Sequence, residues 1–338
     1  MSDQVLYFPY MSVPRSAWLT QVLLYWDQLG SIVPYEYVDQ PEALGPYMQQ
    51  LLLEELVVQV QPGAHLHSLP RFAEAFTHYI EQLGPELDVR RRAFAAGRGD
   101  KIHSEKLGKD QPIARVHIEK LDQVSYALEQ AGLARVAEYP WFDVELETAD
   151  DFMCYLATCL GQLKEVGALP ITDTSSALDR LVSAGIAKPD LDAQAQPLRV
   201  QVLETILPVP LESIEPAAIR RFKDKHREAL GHFRRRVEEE LNRLADMQDD
   251  SRRERAIAQF IDRARAETQE ILSWMREARW KGGVANVGGI LSALPNANPV
   301  LGLLNAIREA LFGGAPLPPP RDFAYAAHLQ ATAAGGRG

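Results

Sequence analysis

In the C-terminal third, two long stretches in which apolar residues recur at helical spacing constrain the fold more than any other feature of the sequence. Apolar residues recur every third or fourth position from residue 216, pause over 248–251, and resume to about residue 275. Ser251 and Glu254 form a capping box that starts the second stretch. Because each apolar stripe needs a partner to bury it, we predict an antiparallel helical hairpin over 216–281. At 1.5 Å per residue each arm would reach ~40 Å.

The N-terminal region alternates between short apolar runs and helical patterns. Residues 6–13, interrupted by Pro9, indicate a strand that enters a loop, and residues 31–34 indicate a second strand. Between them Ser16 caps a helical pattern that Gly30 ends. Alternating polarity predicts two more strands at 115–120 and 141–147. The predicted fold class is α+β, predominantly helical, with a small mixed sheet in the N-terminal body.

Proline and glycine divide the rest of the chain into segments. We predict a mixed α/β body over 1–195, a proline-containing connector over 196–215 and the arginine-rich hairpin over 216–281. An apolar tail bracketed by glycine and proline follows over 282–314, and a flexible C-terminus over 315–338. Pro295 and Pro299 cut the tail into pieces well below the ~20 residues of a membrane-spanning helix, so a conventional transmembrane helix is not expected.

Charge is distributed unevenly along the chain. The formal net charge is -10, yet residues 216–281 hold 17 basic and 13 acidic side chains against 19 and 33 in the remainder. Arginine dominates this basic segment, which suits contact with carboxylate or phosphate. Glutamates 238–240 directly follow one arginine run, and mixed signs favour pairing along the helix, so nucleic acid is the less favoured partner. The partner-binding candidates are Arg234, Arg235, Arg236, Arg252 and Arg253.

The apolar tail offers a second kind of contact surface. Its pieces would pack on the body, mediate assembly or meet a membrane surface through 284–312. The candidate residues for membrane contact or assembly are Val287, Ile290, Leu291, Leu301 and Leu304.

No strong catalytic motif is present in the sequence. It contains no Walker A loop, no GxGxxG after a strand, no GxSxG elbow and no HExxH. Cys154 and Cys159 match neither a zinc site nor a disulfide framework, and the opening residues do not resemble a secretory signal, so a cytoplasmic protein is expected. No cofactor and no small-molecule ligand are inferred.

Two weaker patterns involve carboxylates. Alternation would place Asp143, Glu145 and Glu147 on one face of a strand, where they could hold Mg²⁺ or Ca²⁺, although a solvated strand face is the more common outcome. An H-x-E-K pattern occurs at 103–106 and again at 117–120. Its spacing is one residue away from the Glu-x-Lys pair of a nuclease, and we interpret it as coincidence.

Several short motifs resemble one uncharacterised bacterial family, the domain of unknown function 6236 type. They are the opening YFPY at 7–10, LYWD at 24–27, IVP at 32–34 and LPITD at 169–173. The resemblance implies a bacterial cytosolic protein and supplies no active-site residue.

The sequence lacks a strong catalytic motif and offers several candidate contact surfaces. Together these two features favour a non-enzymatic interaction or assembly component, for example of a multi-protein or defence-type system. A protein partner or a homo-oligomer is the expected association. The alternatives are a membrane-acting effector that uses the apolar tail, and a metal-dependent enzyme on nucleic acid or nucleotides that uses the three carboxylates.

Overall fold

The computed structural model describes residues 4–69, 71–96, 113–172, 214–245 and 247, together with scattered positions between 252 and 278. The chain forms two compact units that interleave along the sequence. The first comprises Met1–Ser12, Gly30–Pro46 and Val58–Lys188, and the second Val13–Leu29, Tyr47–Val57 and Pro189–Gly338. Of the predicted connector, residues 196–213 lie outside the described residues, as do the whole tail and the C-terminus.

A four-stranded sheet belongs to the first unit, apart from the opening residues of two strands. Its order is β3-β2-β1-β7, and β1 and β7 run parallel with Val5 opposite Leu169. Gly30 in β2 allows close packing, because a Cβ there would lie 2.9 Å from Leu6 Cδ1. The four strands are β1 (Gln4–Tyr7), β2 (Gln28–Ile32), β3 (Val57–Val60) and β7 (Leu169–Ile171).

A second, antiparallel sheet of three strands also lies in the first unit, in the order β4-β6-β5. Asp143 on the central strand lies opposite Arg115 on one neighbour and Arg135 on the other. These strands are β4 (Ile113–His117), β5 (Ala134–Val136) and β6 (Trp141–Glu145).

Helices of the first unit pack around an aromatic core. Phe76 stacks on Tyr155 with 5.3 Å between ring centroids, and Phe72 stacks on the same ring at 4.9 Å. The helices are α2 (Tyr35–Asp39), α4 (Pro62–His65), α5 (Phe72–Gln82), α6 (Pro85–Ala96), α7 (Ile118–Leu121), α8 (Val124–Gln130) and α9 (Leu146–Gly161). One short 3-10 turn spans Pro41–Leu44 and another spans Leu66–Ser68.

A buried ion pair crosses this core. The Arg90 side chain is 2% exposed and donates to Asp151, which is fully buried, over 2.8 Å. Glu86 accepts from the same guanidinium at 2.6 Å, and the Tyr79 hydroxyl donates to Asp151 at 2.7 Å. These bonds tie α5, α6 and α9 together, because a buried carboxylate is tolerated only with its partners in place.

In the described part of the second unit, the helices with assigned bounds are α1 (Ala17–Tyr25), α3 (Pro46–Leu53, whose first residue belongs to the first unit) and α10 (Pro216–Ala245, with a kink at His226). The predicted stripe of α10 is buried, including Phe222, Phe233 and Leu241. The Tyr25 hydroxyl at the end of α1 donates to Glu238 over 2.7 Å.

Described positions beyond residue 251 are helical up to 277 and contact α10. Arg263 pairs with Glu240 at 2.9 Å, and Glu277 with Lys225 at 3.4 Å. Going back along α10 from Glu240 to Lys225, the paired residue moves forward from Arg263 to Glu277. The hairpin over 216–281 stays a prediction.

The prediction of an α+β, mostly helical chain is confirmed, with one small parallel sheet and one small antiparallel sheet in place of a single mixed one. The first predicted strand is β1, which ends at Tyr7 before the chain enters a loop. Two strand ends were wrong: the strand predicted over 115–120 ends at His117, where α7 begins, and the strand from Trp141 ends at Glu145 because that residue caps α9. Among the described residues, no helix has the length and apolar composition needed to cross a bilayer.

Candidate functional site

A small cavity in the first unit brings together residues that are distant in sequence. Its volume is about 140 Å³. The walls come from the loop after β1, from β4 and α7, and from the first turns of α9. Apolar contributions include Met11, Val116, Trp141, Leu146 and Met153, and the polar ones are Tyr10, Arg115, His117, Lys120 and Asp150.

Lys120 is the most unusual of these side chains. Only 4% of the residue is exposed, and no hydrogen bond or ion pair to its Nζ is found in the part of the chain that the structure describes. Burial lowers the pKa of this amine from 10.5 to about 7, although the neighbouring Glu119 carboxylate acts in the opposite direction. Near neutral pH a large fraction of the amine is therefore uncharged.

The Lys120 amine has access to the cavity. Among the described residues, the side-chain nitrogens and oxygens that are both fully enclosed and without a hydrogen bond are His117 Nε2 and Arg135 Nη1. Within the described ranges Lys120 Nζ has no bonding partner and is still not among these enclosed atoms, and Lys120 lines the cavity, so we infer that the amine borders it. The cavity is the space that this side chain lines.

Glu119 lies beside the amine, yet its carboxylate is committed elsewhere. One oxygen accepts from the backbone N–H of Tyr35 at 2.7 Å, and the other from that of Gly63 at 3.3 Å. Gly63 has to be small here, because a Cβ would lie 2.9 Å from the carboxylate oxygen. The Glu119 carboxylate thus joins the first turns of α2 and α4, and among the described residues no counter-charge contacts Lys120.

His117 is held as a neutral imidazole. Its Nδ1 accepts from the Glu119 N–H at 3.2 Å, which places the proton of the neutral ring on Nε2. Nε2 lies 3.4 Å from a Glu36 oxygen without forming a hydrogen bond. Burial lowers the pKa of the ring, which also packs edge-on against Trp141 with centroids 5.2 Å apart.

The three candidate metal ligands occupy different surroundings. Asp143 pairs with Arg135 at 3.0 Å and with Arg115 at 3.5 Å. Glu145 is buried and accepts from the backbone N–H groups of Glu147 and Thr148 at the start of α9. Glu147 lies in the first turn of that helix and not on the strand, so the expectation of one shared strand face was wrong.

No group of three or more His, Cys, Asp or Glu side chains within the described ranges has an arrangement that could hold a metal ion. The metal-dependent alternative stays a prediction from the sequence.

The arginine candidates lie on the second unit. Arg234 is only 12% exposed and pairs with Asp27 at 2.9 Å, so its charge stabilises the unit. Arg235 and Arg236 are exposed on α10, and Arg252 is exposed on a helical position. Arg253 lies outside the described residues, and so do the tail candidates Val287, Ile290, Leu291, Leu301 and Leu304.

A larger cleft of about 270 Å³ in the second unit is lined by four cations, but these have partners. Lys223 Nζ donates to the carbonyls of Leu23 and Trp26 at 2.6 Å and of Asp27 at 2.9 Å, which caps the end of α1. Arg220 and Arg227 both pair with Asp224. We therefore assign this cleft to structure and the smaller cavity to function.

Comparisons with protein-family models, with curated proteins and with solved structures found no match to this chain. The sequence interpretation missed Lys120 and His117 as site residues, although the H-x-E-K pattern at 117–120 marked their position. The equivalent pattern at 103–106 lies outside the described residues.

Proposed function

We propose that this chain is a bacterial cytosolic interaction or assembly component, in which the cavity of the first unit receives one acidic side chain of a partner protein. The second unit, with the antiparallel hairpin predicted over 216–281, serves assembly. The observation that carries the proposal is the buried Lys120 amine without a bonding partner, facing a mainly apolar cavity.

The size of the cavity supports a side chain as its occupant. Pockets for small molecules usually enclose roughly 300–1,000 Å³, whereas this cavity has about 140 Å³. A single anchoring residue in a small, desolvated pocket is how many protein interfaces obtain most of their binding energy.

Charge complementarity supports an acidic anchor. Among the described residues, Arg115 and the protonated form of Lys120 are the cations that line the cavity, and Asp150 is the carboxylate that lines it. A bound Asp or Glu side chain would favour the protonated form of Lys120 and so compensate the cost of burying its charge. The affinity of the cavity for an acidic side chain should therefore increase as the pH falls through 7.

Exposed apolar residues at the mouth of the cavity support a protein surface around that anchor. Tyr10 is 60% exposed and Leu146 is 38% exposed, and both line the cavity. Aromatic side chains are enriched at protein interfaces because they bury a large area at low entropic cost.

The experiment is selection from a displayed peptide library in which one central position is either Glu or Gln and the flanking positions vary. We expect peptides with Glu to be enriched, and Lys120→Met to weaken their binding at least about tenfold. Lys164→Met is the matched control, since Lys164 is an exposed lysine of the same unit, and it should bind like the unmodified chain.

Equal enrichment of Glu and Gln peptides would refute the acidic anchor. Binding that survives Lys120→Met unchanged would refute the cavity as the binding site. Lys120→Met should fold, because methionine replaces a buried amine by an apolar side chain of similar length.

A further inference from the structure

We propose that Lys120 forms a reversible imine with small aldehydes or ketones that carry a carboxylate, which makes the cavity a covalent ligand site. This inference uses the same cavity as the proposed function, but it requires only the amine and its surroundings.

The first support is the position of the amine. Lys120 Nζ reaches the cavity, has no bonding partner in the described ranges, and sits at the end of a side chain that the fold buries. A lysine in such surroundings is the form that reacts with carbonyl groups, because its neutral amine carries the free electron pair.

The second support is the state of charge near neutral pH. Burial brings the pKa of Lys120 to about 7, so roughly half of the amine is neutral at that pH, against about one part in three thousand for a lysine of ordinary pKa. The charged or titratable groups around it are Glu119 on the same helix, Arg115 and His117 on β4, and Asp150 on α9.

The third support is the lining of the cavity. Val116, Ala149 and Met153 contribute apolar surface beside the amine. Imine formation releases water, and a small apolar cavity disfavours the return of that water. Arg115 on the wall is half exposed and can bind a carboxylate on the ligand.

The reaction is balanced without any external oxidant or reductant. The Nζ electron pair forms a bond to the carbonyl carbon, and the carbonyl oxygen leaves as water with two protons, both derived from the amine nitrogen. The product is a carbon–nitrogen double bond, and hydrolysis reverses each step.

The test is reductive trapping of the unmodified chain with glyoxylate and sodium cyanoborohydride near neutral pH, followed by peptide mass mapping. The reductant delivers hydride to the imine carbon, solvent supplies a proton to nitrogen, and a carboxymethyl group stays on the lysine. We expect Lys120 to be labelled at least about tenfold faster than the exposed Lys164. Lys223 should be labelled slowly, because its amine is bound to three carbonyls.

A labelling rate at Lys120 no higher than at Lys164 would overturn the inference. Equal trapping of glyoxylate and of an uncharged aldehyde would overturn the carboxylate requirement. Because the lysines are compared within one unmodified chain, no variant has to fold.

The outcomes also separate this inference from the proposed function. Trapping at Lys120 in a chain that selects no Glu peptide would refute the acidic anchor alone. Selection of Glu peptides by a chain without preferential trapping would refute the imine alone.

Discussion

Replacing Lys120 by methionine should make the protein more stable, and the gain should depend on pH. The unfolded chain holds its lysine proton up to an ordinary pKa near 10.5, whereas the folded chain starts to release it near pH 7. Below pH 7 both states carry the charge, and the folded state bears the full cost of burying it. As the pH rises, the folded state sheds the proton first, so this cost declines.

The magnitude follows from the difference in bound protons. Between pH 7 and pH 9 the unfolded chain keeps nearly all of the Lys120 proton while the folded chain loses most of what it holds, so the cost falls by about 2 kcal/mol. Methionine does not titrate. The stabilisation by Lys120→Met should therefore be about 2 kcal/mol larger at pH 7 than at pH 9.

The assay is urea unfolding of both proteins at the two pH values, followed by far-UV circular dichroism. At each pH the unfolding free energy of the unmodified protein is subtracted from that of Lys120→Met, which removes the contribution of all other titrating groups. Lys164→Met reports the effect of removing an exposed lysine from the same unit. A stability difference that is the same at both pH values would refute the buried, readily deprotonated amine on which both proposals depend.

Two further predictions concern stability away from the cavity. Arg90→Ala should cost about 3–5 kcal/mol in urea unfolding, because it leaves a fully buried carboxylate without its cation, whereas the exposed Arg92→Ala should stay within about 0.5 kcal/mol. Gly161→Ala should lower the melting temperature, since its Cβ would overlap the backbone oxygen of Ala168. Gly231→Ala in α10, where a Cβ would make only an ordinary contact of 3.7 Å with Arg235 Nη1, should raise stability by up to ~1 kcal/mol. A loss at Gly231 equal to that at Gly161 would contradict the packing argument.

Helical spacing was the most informative signal in the sequence. The stripe through Phe222, Phe233, Val237 and Leu241 is buried on α10 as predicted. Periodicity works here because a long amphipathic helix fixes which face is buried through local geometry alone.

The alternating polarity of residues predicted the wrong structure where a side chain caps a helix and so ends the strand. Residues 142–147 alternate in polarity, yet the chain turns into α9 after Glu145. The Glu145 carboxylate accepts two backbone N–H groups and so replaces strand pairing by a helix start. An alternating pattern does not contain that information, because it shows which residues are polar but not which hydrogen bonds they form.

The cavity could not be predicted because its walls are assembled from distant segments. Tyr10, His117 and Met153 meet there only after the sheets and α9 have formed. Lysine is also among the residues least often buried, so sequence reasoning places Lys120 on the surface by default. The H-x-E-K pattern marked the correct position but suggested a nuclease spacing that the chain does not have.

Among the described residues, Lys120 and Lys223 show why a lowered lysine pKa alone does not identify a site. Burial lowers the pKa of Lys223 to about 8 and that of Lys120 to about 7. Three backbone carbonyls use all the donors of the Lys223 ammonium group and fix it as the cap of α1. For Lys120 the described part of the chain supplies no acceptor, and the neighbouring carboxylate of Glu119 is bound to two backbone N–H groups. A buried amine without an acceptor lowers stability, and a ligand in the cavity would compensate this cost, which is why both proposals place the function at Lys120.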